Sequence, residues 1–115
     1  MPTLSADIGR MDILLHRGSD ESICVEWKID HRDGTSPQPV DLRTWTAEFE
    51  MICRDESVYS QSCLCTSNGC AICDIPYSAF TSSTWDTRLD GEWRTIVRGN
   101  GGQVRILGHG YYRIV

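Results

Sequence analysis

The chain has 115 residues, 40% of them hydrophobic and 23% charged, with six cysteines, a single lysine, a net charge of −5 and a pI near 5.0. That length buries roughly two thirds of the unfolded surface, so one domain with its own core is expected. The acidic balance and the scattered arginines supply no basic stripe for phosphates, no run approaches the ~20 apolar residues of a membrane span, and MPTLSADIGR lacks the apolar centre of a signal peptide. The expectation is a protein made in a cytoplasm and soluble there, without nucleic-acid or membrane partners.

Residues 1–10 read as an extended N-terminal arm, and residues 11–115 as the folded domain. Met11–Arg17 is the first expected strand, closed by Gly18. Ile23, Val25, Trp27 and Ile29 alternate with Cys24, Glu26, Lys28 and Asp30, the period of two of a half-buried strand. Asp30–Pro39 is dense in turn formers around Asp33-Gly34 and predicts a hairpin loop. Trp45, Ala47, Phe49, Met51 and Cys53 then fall on one side of a strand, with Thr46, Glu48 and Glu50 on the other. Val58–Cys65 and Cys70–Ile75 predict two strands joined at Asn68-Gly69, a strong hairpin signal. Pro76–Thr87 is the one place for a short helical turn or an irregular crossover.

In Asp90–Arg98, Trp93, Thr95 and Val97 oppose Glu92, Arg94 and Arg98, with Ile96 on the polar side. Gly99–Gly102 predicts a turn, Gln103–Leu107 a returning strand, Gly108-His109-Gly110 a break and Tyr111–Val115 a last strand. The expected core is Ile23, Val25, Trp27, Ile29, Trp45, Phe49, Met51, Trp93, Val97, Val104, Ile106 and Ile114. Seven or eight short strands, with turn signals every ~8–12 residues, predict an all-β domain: a single antiparallel β-sandwich or small barrel.

Three groups of residues recur together in this order. They are Asp12-Ile-Leu-Leu-His-Arg-Gly18 followed by Ser-Asp; an alternating strand, a D-G turn and Pro39-Val-Asp-Leu42; and Arg43-Thr-Trp-Thr-Ala47. Leu89-Asp-Gly-Glu-Trp93, a glycine-rich hairpin and Leu107-Gly-x-Gly110 follow towards the end. Over residues 11–115 this resembles the small immunoglobulin-like β-sandwich domains of tailed-phage virions, in particular the N-terminal domain of the phage baseplate upper protein family. Two features depart from that pattern: Arg17-Gly18-Ser19-Asp20 stands where family members carry Arg-Gly-Asp, and a cysteine-rich hairpin is present. The resemblance implies an immunoglobulin-like sandwich acting as a non-enzymatic structural component of a tail tip, baseplate or neck. It further implies a virion location, several copies in a homo-oligomer or symmetric assembly, and contacts with other virion proteins.

The sharpest chemical feature is Cys63-x-Cys65-x4-Cys70-x2-Cys73. Four thiolates around one turn are candidate ligands for a structural zinc, with sulfur about 2.3 Å from the metal. Against it, C-x-C on a regular strand sets two sulfurs on one face about 7 Å apart. Disulfides are the other reading, with Cys65 facing Cys70 across the hairpin and Cys63 facing Cys73 one step out; free thiols are a third. Cys24 and Cys53 read as core thiols. His16, His31 and His109 stand beside no thiol in sequence, and the glycine-rich stretches lack the strand-to-helix setting of a phosphate loop, so no catalytic constellation emerges. Trp85, Tyr77, Tyr111 and Tyr112 are the aromatics left for a protein interface or, as the alternative function, a glycan- or receptor-binding module; a zinc-stabilised adaptor is a further alternative.

Overall fold

Over residues 9–115, the part of the chain that the computed structural model describes, every regular element is a strand except one 3₁₀ turn, Ser83–Thr87. The strands are β1 (Gly9–Arg10), β2 (Ile13–Leu15), β3 (Glu21–Glu26), β4 (Lys28–Ile29), β5 (Gln38–Pro39), β6 (Thr46–Cys53), β7 (Glu56–Cys65), β8 (Cys70–Ile75), β9 (Asp90–Arg98) and β10 (Val104–Ile114). Their hydrogen-bonded order is β1-β10-β9-β6-β7-β8-β3, with β2 also on β10 and β4-β5 as a separate ribbon. The expected arm lies outside the described residues except for its last two, which form β1.

The period-two segments become strands because one face of each has apolar residues to bury. The stretch from Thr46 to Cys53 becomes β6, central between β7 and β9. Strand β7 is shared between layers: from Glu56 to Cys63 it pairs with β6, and Leu64 and Cys65 pair with Ile72 and Ala71 of β8. It carries the chain from one layer to the other. The layers close on each other where a Cβ on Gly108 of β10 would lie 2.7 Å from Val25 Cγ1 of β3.

Two expectations about the sheets need correction. The pairing is mixed, because β1 and β2 both run parallel to β10. The returning strand β10 leaves one long edge open, and the N-terminal segment covers it running in the same direction, something apolar alternation cannot reveal. Nor does Gly108-His109-Gly110 break the last strand: β10 is continuous from Val104 to Ile114. The register slips between Ile106 and Gly108, and this bulge sets two consecutive residues, Leu107 and Gly108, towards the core. Every side chain before the slip therefore points opposite to the simple alternation. Val104 is 64% and Ile106 37% exposed, so neither belongs to the core; Leu107 does.

Phe49 and Trp93 stack at the centre, 5.8 Å apart, while Tyr59, Phe80 and Trp85 pack edge to face at one end. Trp27 and Trp45 meet edge to face at 5.4 Å, with the Arg105 guanidinium 5.1 Å from the Trp27 ring. Ile29 and Trp45 pack against the core half-buried. Ile96, expected on the polar side, is buried there between its cross-strand neighbours Glu48 and Ile106.

The turn after β2 clamps the crossover. Arg17 donates from Nε to the Phe80 carbonyl (2.8 Å) and from its two other nitrogens to the Ser82 carbonyl and the Asp86 carboxylate. Asp20 accepts from the Tyr77 backbone N–H at 2.7 Å. Arg17-Gly18-Ser19-Asp20 thus has a structural use: its two charged ends hold 77–86 over the open end of the core. The expected helical turn in that crossover is the 3₁₀ turn, capped by the Ser82 side chain.

Candidate functional site

The cysteine-rich hairpin folds as the spacing predicts, but strand parity distributes its thiols. Thr66 N–H reaches the Cys70 carbonyl at 3.0 Å, and Gly69 takes φ +78°. A Cβ on Gly69 would lie 2.5 Å from the Trp27 carbonyl, so the turn needs glycine for space as well as conformation. Successive side chains alternate between faces. Cys63, Cys65 and Cys73 therefore point inward, while Cys70, an odd number of residues from Cys73, points outward.

Cys65 faces Ala71, not Cys70. On the outer face Cys70 neighbours Cys24, because Glu26 pairs with Cys70 and Cys24 with Ile72. Burial, then the charge and hydrogen bond of Cys70, push the Cys24 thiol up to about 11. Cys24 is exposed rather than a core thiol; Cys53 is buried, beside the Tyr112 hydroxyl. The six cysteines stand unbridged in this structure, and among the described residues no three His, Cys, Asp or Glu side chains converge as a metal site. Cys63, Cys65, Cys70 and Cys73 are close in sequence but divided between the two faces of one sheet.

A second feature is the outer face of β6, β9 and β10. Cross-strand neighbours there form rows: Glu48–Ile96–Ile106, Glu50–Arg94–His109 and Ile52–Glu92–Tyr111. Arg94 holds the Glu50 carboxylate at 2.8 Å, and Arg98 stands 3.9 Å from Glu48. Burial pulls the Glu50 carboxyl upward, but Arg94 and Ser57 outweigh it and leave the group below its usual range. A shallow groove of about 410 Å³ runs along this face past Arg94, His109 and Tyr111. Tyr111 is 53% exposed, with the Arg10 guanidinium 5.0 Å from its ring centre.

Two of the four aromatics reserved for recognition are core residues. Trp85 is 6% and Tyr112 2% exposed. Trp85 projects from the 3₁₀ turn of the crossover into the end of the core, and Tyr112 lies on the inner face of β10 with its hydroxyl donating to the Arg88 carbonyl at 3.0 Å. Trp85 lies in a crossover whose residues carry no period, whereas Tyr112 stands two residues before Ile114 on the same face of β10, so its inward side follows from that spacing. Tyr77 and Tyr111 remain exposed. His16, His31 and His109 are also exposed, and His16 lies 3.5 Å from Glu21. The third available feature is an edge: among the described residues β3 pairs only with β8.

No protein-family model matches the sequence, and no curated protein matches it. The fold is similar to the N-terminal domain of ORF48 of phage TP901-1, with a TM-score of 0.53 and 13% identity over 90% of this chain and 84% of that one. It is also similar to the immunoglobulin-like domain of mouse leukocyte-associated immunoglobulin-like receptor 1, crystallised as a strand-swapped dimer. There the TM-score is 0.51 and the identity 10%, over 90% of this chain and 88% of that one. The fold is immunoglobulin-like. The resemblance read from the sequence, to a small immunoglobulin-like domain of a phage protein, holds at the level of the fold.

Proposed function

We propose that this immunoglobulin-like domain is a non-enzymatic structural component of a tailed-phage virion, at the tail tip, baseplate or neck. In this reading it is made in the host cytoplasm, assembles in several copies and contacts other virion proteins. The observation that carries the reading is the likeness to the N-terminal domain of a phage protein over 90% of the chain, which stands beside sequence motifs that resemble a phage family.

The surfaces suit protein contacts. The groove face of β6, β9 and β10 offers paired charges around Ile52, Ile106 and Tyr111, a polar surface with apolar and aromatic points as in protein interfaces. Among the described residues, the outer edge of β3 offers unpaired backbone groups for strand addition. Glycan stacking is less favoured here, since Trp85 is buried and the Tyr111 ring is partnered by Arg10.

The test is quantitative mass spectrometry of purified virions, with native mass spectrometry of the isolated protein. Detection at a fixed multiple of the tail-tube copy number, or a closed ring in solution, supports the reading. Absence from virions, with glycan-array binding abolished by Tyr111→Ala, replaces it by the receptor-binding alternative.

A further inference from the structure

The shared strand β7 leaves β8 one step beyond the Leu64–Ile72 pair, and the next two residues in that register are Cys63 and Cys73. Cys63 is also the partner of Ala47 on β6, and Cys73 the partner of Ile23 on β3. The two thiols therefore stand at the fork where the layers separate. Just past them, the Gln61 side-chain amide donates to the Asp74 carbonyl, spanning by side chain a gap the backbone ladder no longer bridges.

An antiparallel pair sets directly opposed Cα atoms about 4.5–5.5 Å apart, and a disulfide accepts ~4.4–6.8 Å. Cys63 and Cys73 lie one step past the last ladder pair, and the hydrogen bond between their side chains keeps the two sulfurs in contact. The competing pairs fit less well. Cys65 and Cys70 point to opposite faces, and Cys24 and Cys70 are diagonal neighbours, a relation that separates Cα atoms by about 7–8 Å.

The two thiols are also chemically unequal. The hydrogen bond from Cys73, joined by the Phe49 backbone, outweighs burial and holds the Cys63 thiol below its ordinary range. The same bond, then burial, pushes the Cys73 thiol up. Cys63 is half-buried, whereas Cys73 is 1% exposed. The reachable sulfur is thus the more readily ionised one, and its partner waits behind it.

We propose that Cys63 and Cys73 are a disulfide-forming pair, closed by exchange with a small-molecule disulfide of the oxidised-glutathione class, and that the bridge staples the fork between the two layers. The Cys63 thiolate attacks one sulfur of the reagent, breaks its S–S bond and expels one thiolate. The Cys73 sulfur, losing its proton, then attacks Cys63 in the mixed disulfide and expels the second thiolate. Two protein thiols are oxidised, one small disulfide is reduced to two thiols, and the protons end on those thiols. The inference stands apart from the virion reading and holds for any role of the domain.

The test uses the full chain, folded, treated with oxidised glutathione and then alkylated before and after denaturation. No Lys or Arg lies between Arg54 and Arg88, so trypsin leaves all four hairpin cysteines in one peptide, and fragmentation within it assigns the sulfurs. The expected product is lighter by two hydrogen atoms, with Cys63 joined to Cys73, Cys65 and Cys70 alkylated, and Cys24 alkylated before denaturation. Its melting midpoint rises, and reductant reverses the rise. In Cys63→Ser the oxidant produces no rise. A bridge between Cys65 and Cys70 or Cys24 and Cys70, complete alkylation of Cys63 and Cys73, or an undiminished rise in Cys63→Ser overturns the inference. If Cys63→Ser does not fold, the fragmentation map of the parent decides alone.

Discussion

At the scale of single residues, Trp93 joins three parts of the molecule. Its ring stacks on Phe49, its edge meets β10 at Gly108, and its Nε1 donates to the Met11 carbonyl at 2.7 Å. Trp93→Phe keeps an aromatic ring but opens space and leaves the Met11 carbonyl without this donor. We expect a loss of about 2–3 kcal/mol in urea unfolding. A change within about 0.5 kcal/mol, the range of a neutral surface substitution, contradicts that role. Glu50 makes a smaller, pH-dependent contribution. Its folded carboxyl lies below the ordinary value of 4.5, so its stabilisation is present above that value and fades as pH falls through the lowered one. Because Arg94 is 41% exposed, screening limits the pair to about 1 kcal/mol or less. Glu50→Gln should therefore be less stable than the parent at pH 7 and equal to it in acid. Parallel pH–stability curves for the two proteins would falsify this assignment.

At the scale of elements, β10 shows what a local irregularity does. Gly110 passes so close to the β1–β2 link that a Cβ would lie 2.0 Å from the Met11 carbonyl oxygen. Backbone cannot give way as a flexible side chain can, so Gly110→Ala must push the N-terminal segment off β10. The expected cost is about 1–3 kcal/mol, with faster amide exchange at Met11, whose N–H bonds the His109 carbonyl at 2.9 Å. Unchanged exchange at Met11 contradicts the close approach.

The glycines that read as punctuation in the sequence are thus sites of contact. Strands β3, β6 and β8 are legible because each buries one regular face, and the Asn68-Gly69 turn because its chemistry is local. The inward turn of Leu107, and the outward turn of Val104 and Ile106, depend on a register slip with no sequence period. Trp85 was illegible for a related reason: its burial comes from a crossover held by Arg17 and Asp20 across more than fifty residues. The cysteine hairpin was half legible. Its turn could be read, but the division of thiols between faces follows from parity once the strands are known to be regular on both sides.

At the scale of the whole molecule, likeness to domains as distant as a phage protein and a mammalian receptor shows how little of this fold is tied to one function. In this chain the fork at β7, the clamp on the crossover and the covered edge of β10 tie the strands together. The last has a mechanical side. Because β1 and β2 run parallel to β10, tension applied between Gly9 and Val115 slides the strands past one another and loads their hydrogen bonds together. Tension between Leu89 and Val115, at adjacent ends of β9 and β10, opens the bonds one after another. Single-molecule stretching should find the first direction the more resistant, and equal rupture forces would show that the parallel ladder bears no load. A domain wired this way transmits traction along its length while remaining easy to peel from the side.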